Sequence, residues 1–134
     1  MTSRRVPSIP VYGSVAPDSA WSQMERWVGF GNTILTQSQI TSIDYFIYDI
    51  DDTVFFEIGS HSVSSVIFDT PQTNADDSEW PDTDEVGYNF KVRWTAEQSP
   101  PSGKTYRYKH VITDAEGLSY TFLTERTAYV DGSP

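Results

Sequence analysis

From residue 32 onward the chain alternates between apolar and polar positions. In GYNFKVRW, residues 87–94, Tyr88, Phe90, Val92 and Trp94 fall on one face and Asn89, Lys91 and Arg93 on the other. A period of two is that of a half-buried strand. Two further runs, TYRYKHVIT at 105–113 and LSYTFLTERTAYV at 118–130, flank Asp114-Ala115-Glu116-Gly117. That glycine can take the positive φ of a short hairpin loop, so the two runs are predicted to be antiparallel neighbours. EQSPPSGK, between Trp94 and Tyr106, is another turn-rich connection, which makes the three strands a meander. Upstream, strands are predicted at 43–49, 54–58 and 63–68, forming a second layer. So many short strands predict an all-β fold, an Ig-like antiparallel β-sandwich.

The first thirty residues follow another pattern. Pro7, Pro10 and Pro17 stand among small and β-forming residues, and Arg4 and Arg5 are the only charged side chains before Asp18. Proline fixes φ and removes a donor, so this stretch reads as an extended arm that becomes ordered against a partner or a second copy. Next, Trp21, Met24 and Val28 fall at helical spacing, with Ser19 as N-cap and Gly29 as stop, which predicts one short N-terminal helix. The expected organisation is an arm and helix over 1–30 and a β-sandwich domain over 31–134.

Composition narrows the function. A chain of 134 residues, 37% hydrophobic, holds one domain with a real core. Its 19 acidic and 9 basic side chains, net −10, argue against nucleic acid and anionic membrane as partners and favour cationic protein surfaces. The lack of cysteine excludes disulfides, thiolate metal sites and a cysteine nucleophile. No apolar run approaches the roughly 18 residues of a membrane span, and MTSRRVPSIP lacks the apolar core of a signal peptide.

Candidate chemistry is concentrated in carboxylates. IYDIDDTV, residues 47–54, resembles the first motif of the haloacid dehalogenase phosphatases, which would make Asp49 a nucleophile and Asp51 a general acid/base with Mg²⁺ between. That chemistry needs a parallel α/β unit with crossover helices, whereas the residues after Thr53 read as strands and turns. Asp-Ile-Asp-Asp-Thr is equally the chemistry of a turn between strands. Residues 69–85 hold seven carboxylates and no Lys or Arg, without the spacing or central glycine of an EF-hand loop. A solvated loop is the plain reading, and a contact with a basic partner or a metal site are the alternatives. His61 and His110 show no metal-pair spacing, and Ser38, Ser64 and Ser65 lie in no G-x-S-x-G context. Tyr106, Tyr108, Tyr120 and Phe122 read as sandwich core or, alternatively, as a carbohydrate-binding face. No enzyme activity, cofactor or metal is expected.

TQSQITSIDYFIYD, SVIFDTPQT, a Trp-containing acidic loop, GYNFKV and GKTYRYKHVITDAEGLSYTFL together resemble small Ig-like virion proteins of tailed bacteriophages, over about residues 31–130. The resemblance implies a structural module, made in the host cytoplasm and located in the virion, that binds the major capsid protein or other virion subunits and forms homo-oligomers. Capsid decoration or cementing is the leading expectation. A neck, tail or baseplate adaptor is the alternative within that class. Residues 1–30 lie outside the resemblance and read as the attachment part. Arg4, Arg5, Val11, Tyr12, Trp21, Met24 and Trp27 are its expected partner-binding residues, because aromatic side chains on weakly structured segments are natural interface hot spots.

Overall fold

Five of the six strands expected from the alternation form in place and two more precede them; the sixth, expected at 63–68, is displaced, because Val63–Val66 makes a helical turn and the strand runs over Ile67–Gln72. The structure, a computed structural model, describes residues 11–29, 33–51, 54–73, 75–76 and 87–129. Within them lie β1 (Val11–Val15), β2 (Trp21–Glu25), β3 (Ile40–Asp49), β4 (Phe55–His61), β5 (Ile67–Gln72), β6 (Tyr88–Trp94), β7 (Thr105–Asp114) and β8 (Ser119–Ala128). The helical content of the described residues is a single turn at Val63–Val66 and two 3-10 turns, Gln37–Gln39 and Ala96–Gln98. The fold is an all-β sandwich. One sheet has the order β1-β8-β7-β3-β4, the other β2-β6-β5.

Apolar side chains from both sheets meet between them. Ile43 of β3, Ile112 of β7 and Phe90 of β6 are each 0% exposed. Trp27, just past β2, is stacked between Phe90, with ring centroids 3.6 Å apart, and Phe122 of β8, at 4.7 Å. A second cluster joins Ile47, Trp94 and Tyr108. Each large side chain buried in this way contributes about 1.5–3 kcal/mol of hydrophobic stabilisation.

The β7–β8 hairpin forms as the sequence predicts. Asp114 Oδ1 accepts the backbone N–H groups of Glu116 and Leu118, both at 2.9 Å, and Gly117 takes φ +83°. Four other expectations are corrected. First, the predicted helix over residues 19–29 is replaced by strand β2, antiparallel to β6 with Trp21 opposite Trp94. Second, 87–130 is no simple meander: β6 lies in the three-stranded sheet, and the 3-10 turn with the Pro-rich connection after it carries the chain across to β7. Third, β3 and β4 belong to the sheet of β7 and β8 rather than to a separate layer. Fourth, the sandwich is not purely antiparallel, since β1 pairs parallel to β8 from Val11 opposite Thr124 to Val15 opposite Ala128. Residues 11–29 thus supply a strand to each sheet.

The reason β2 escapes a hydrophobicity reading is that its inward positions are polar. Gln23 is 0% exposed and Glu25 8%. Gln23 Nε2 donates to Glu25 Oε2 at 2.8 Å and to Thr124 Oγ1 at 3.0 Å, while its Oε1 accepts from Trp94 Nε1 at 2.8 Å. Glu25 Oε1 accepts from Trp27 Nε1 at 2.9 Å, and the Thr124 hydroxyl donates to Glu25 Oε2. Burying these groups costs little because each has partners.

Candidate functional site

Asp49, Ile50 and Asp51, the described part of the D-x-D-x-T stretch, lie at the end of β3. Asp49 Oδ1 accepts the backbone N–H of Asp51 at 2.9 Å, Asp49 Oδ2 lies 3.8 Å from Lys104 Nζ, and Ile50 N–H donates to Thr105 O at 3.2 Å. Asp49 therefore has a structural task, and the surrounding fold is not the parallel α/β unit that the phosphatase chemistry requires. Most of the acidic stretch 69–85 lies outside the described residues. Its described carboxylates brace the backbone: Asp69 Oδ1 accepts Gln37 N–H at 2.7 Å, and Asp76 Oδ2 accepts Thr73 N–H at 2.8 Å. Among the described residues no group of three or more His, Asp or Glu side chains could hold a metal ion.

The expected partner-binding residues separate. Arg4 and Arg5 lie outside the described residues. The backbones of Val11 and Tyr12 belong to β1. Trp21 is half-buried, edge-on to Tyr108 at 5.2 Å and beneath the Arg126 guanidinium at 5.0 Å. Met24 sits on β2 opposite Lys91 and is partly buried. Trp27 is 1% exposed at the centre of the core, which corrects its reading as a surface anchor. Of the aromatic positions weighed as a glycan face, Tyr108 and Tyr120 are buried and Phe122 packs against the core. Tyr106 is partly buried, with its ring 5.6 Å from that of Phe56.

The structure also joins two residues that sequence spacing keeps apart. His61 of β4 and His110 of β7 stand on either side of β3, opposite Ile43 and Tyr45 respectively. Their Nε2 atoms are 3.3 Å apart. His110 is 0% exposed, and its Nδ1 has no hydrogen-bond partner. A proton on His110 Nε2, donated to His61 Nε2, leaves no buried N–H unsatisfied. Burial pushes the His61 pKa down to about 4 and that of His110 well below the ordinary imidazole value. Both rings are therefore neutral structural members at neutral pH. A knowledge of strand register would have found this pair; neither residue has a local signal.

The largest departure from an ordinary soluble surface is β4. Val54, Phe55, Phe56 and Ile58 are 65%, 46%, 50% and 60% exposed. Among the described residues β4 is the edge of its sheet, paired on one side only with β3, and a bulge lies opposite Ile47 and Tyr48. On the outer face the Phe55 ring lies 5.3 Å from that of Phe46 and 5.5 Å from that of Tyr48. Lys109 and Arg107, one strand inboard on β7, lie over Phe46 and Tyr48. An unpaired, aromatic edge is what a partner-binding surface looks like and what a monomer ordinarily blunts with charge or proline. The sequence signal was VFFEI, an apolar run with no clean alternation at residues 54–58.

A hollow of about 320 Å³ lined by Leu35, Gln39, Asp114, Glu116 and Tyr120 lies at the far end of β7. No family model, no curated protein and no solved structure matches this chain.

Proposed function

We propose that this chain is a non-catalytic structural subunit of a tailed-bacteriophage virion, an Ig-like module that decorates the capsid and cements neighbouring capsid subunits. The observation that carries the reading is the exposed strand β4, the edge of its sheet among the described residues, where Phe55 lies beside Phe46 and Tyr48, Ile58 stands opposite Phe46, and Phe56 lies beside Tyr106. A surface of this kind is stabilised by being covered, and covering it with a capsid subunit removes apolar area from water on both sides. The pattern resemblance to phage virion proteins supplies the identity of the partner. Support from charge is consistent: a net −10 subunit is drawn to basic protein surfaces and repelled by exposed DNA.

The mechanism is a clamp. Capsid subunits pushed apart by packaged DNA would have to break the contacts that each decorating subunit adds, so the shell resists higher internal pressure. The test is the protein composition of purified particles combined with immunogold labelling. Labelling over the shell, at many copies per particle, is the expected result. Labelling confined to the neck or tail moves the protein to an adaptor role, and absence from particles overturns the reading.

A further inference from the structure

We infer that β4 is an acid-operated latch: as pH falls from neutral, proton uptake by the His61–His110 pair releases Phe55–His61 from β3 while the rest of the sandwich stays folded. The latch belongs to the isolated chain, so it stands or falls apart from any role in a particle.

β4 is mounted with its apolar side out. Ile58 stands opposite Phe46 and Phe55 opposite Tyr48 on the outer face, whereas Glu57, Gly59 and His61 stand opposite Ile47, Tyr45 and Ile43 and share their inward face. β2, β3 and β5 to β8 each bury at least one side chain, and β4 buries none. What β4 sends inward is therefore a carboxylate, a glycine and an imidazole. Glu57 accepts from the Tyr45 hydroxyl and from Gln98 Nε2, the latter at 2.7 Å, and His61 Nε2 meets His110 Nε2 at 3.3 Å. Among the described residues the backbone of β4 pairs with β3 alone. A strand held in this way takes none of its own large apolar side chains out of the core when it leaves, so its release costs less than unfolding the sandwich.

The histidine pair holds one proton between two nitrogens. With His110 Nε2 donating, His61 Nε2 must be bare, and a proton there would set two N–H groups head to head. Nor does an anion stand ready to receive the charge. The rings facing the pair are Tyr45 of β3, 4.7 Å from His61, Trp94 of β6, 5.4 Å from His61 and 5.9 Å from His110, and Trp27 and Phe90, 5.2 and 5.1 Å from His110. Tyr45 is the titratable group among these four, and burial, with Glu57 beside it, pushes its hydroxyl up to about 12. The described carboxylates attached to this cluster, Glu57 and Glu25, are bonded to the Tyr45 hydroxyl and to Trp27 Nε1 rather than to either imidazole.

A proton at His61 therefore favours the state in which β4 has lifted and the ring stands in water. Above pH 6.5 the ring is neutral in both states and the latch is closed. Lifting takes its pKa from about 4 to the ordinary 6.5, so the open fraction grows about tenfold for each pH unit below 6.5 and about thirtyfold by pH 5. Where Phe55 and Ile58 carry a partner, acid loosens that partner's hold on the molecule.

The experiment is native-state hydrogen exchange on the full-length chain at pH 7 and pH 5, corrected for the intrinsic exchange rates, with each variant checked for a cooperative melt. The amides of β4 are expected to exchange through an opening that dilute denaturant leaves unchanged, well ahead of those of β7 and β8. That opening should rise about thirtyfold or more between the two pH values. In His61→Gln, whose amide can still accept from His110, the rise should be smaller than in wild type, and in His61→Gln/His110→Phe it should be less than about threefold. Glu57→Gln should keep the wild-type rise. β4 amides as protected as those of β7 and β8, an opening indifferent to pH, or a rise undiminished in His61→Gln would overturn the inference. So would a rise lost in Glu57→Gln and kept in the histidine variants, which places the switch on the carboxylate.

Discussion

Glu25 shows at the scale of one residue how this sandwich tolerates a carboxylate in its interior. It accepts from Trp27 Nε1, Gln23 Nε2 and the Thr124 hydroxyl, and therefore ties β2 to β8 across the core. Glu25→Leu leaves the Trp27 indole N–H and the Thr124 hydroxyl without their acceptor and Gln23 Nε2 with Thr124 Oγ1 alone, and a loss of about 3 kcal/mol or more is expected in denaturant unfolding. The histidine pair makes a second residue-scale prediction. His61, with a pKa near 4 in the folded chain against 6.5 ordinarily, is held neutral by burial, as is His110 beside it. The unfolded chain takes up these protons first as pH falls, so the stability the pair contributes is full above about pH 6.5 and declines from there towards pH 4. Melting temperature should therefore drop between pH 7.5 and pH 5, before the exposed carboxylates titrate. In His61→Gln/His110→Phe that drop should be much smaller.

At the scale of the element, β4 is held to β3 by a glycine. A Cβ added at Gly59 would come within 2.6 Å of the Tyr45 ring, which lies across the position and is fixed by His61, by Trp94 and by its bond to Glu57. Gly59→Val is expected to cost about 2 kcal/mol or more, the scale of an overpacked core site, and to raise hydrogen exchange in β4 ahead of the other strands. Strands with apolar inward positions, such as β6, β7 and β8, could be read from their alternation. Even there Asn89, at a position that reads as outward, is fully buried, because its amide brackets Trp27 and Leu35 through three bonds of 2.7–3.0 Å. β2 was illegible for a related reason: with Gln23 and Glu25 inward, the residues at 21, 24 and 28 imitate a helix. The exposed edge was legible only as a broken alternation, since whether a strand is central or marginal depends on pairings far away in sequence.

The whole molecule has no separable attachment segment within residues 11–29. Both sheets take a strand from that stretch, and Trp27 anchors the main apolar cluster. Deletion of residues 1–10 is expected to leave a cooperative unfolding transition of nearly unchanged midpoint, because every described strand survives. Deletion of residues 1–30 should abolish that transition, removing β1, β2 and the core tryptophan together. Thermal melts of the two truncated chains check both outcomes.

The pairing of β1 with β8 also sets an order of events in time. Val11 lies opposite Thr124, and β2 lies opposite β6, so both early strands have partners more than sixty residues further along the chain. A chain emerging from the ribosome would hold β2 unpaired until β6 had been made and β1 unpaired until β8 had followed. Loop closure over such separations is slow, which places folding in the millisecond-to-second range of all-β domains rather than the microseconds of helical bundles. Throughout that interval the aromatic β4 edge is uncovered alongside them, and crowded synthesis of many copies would favour premature contacts at that edge.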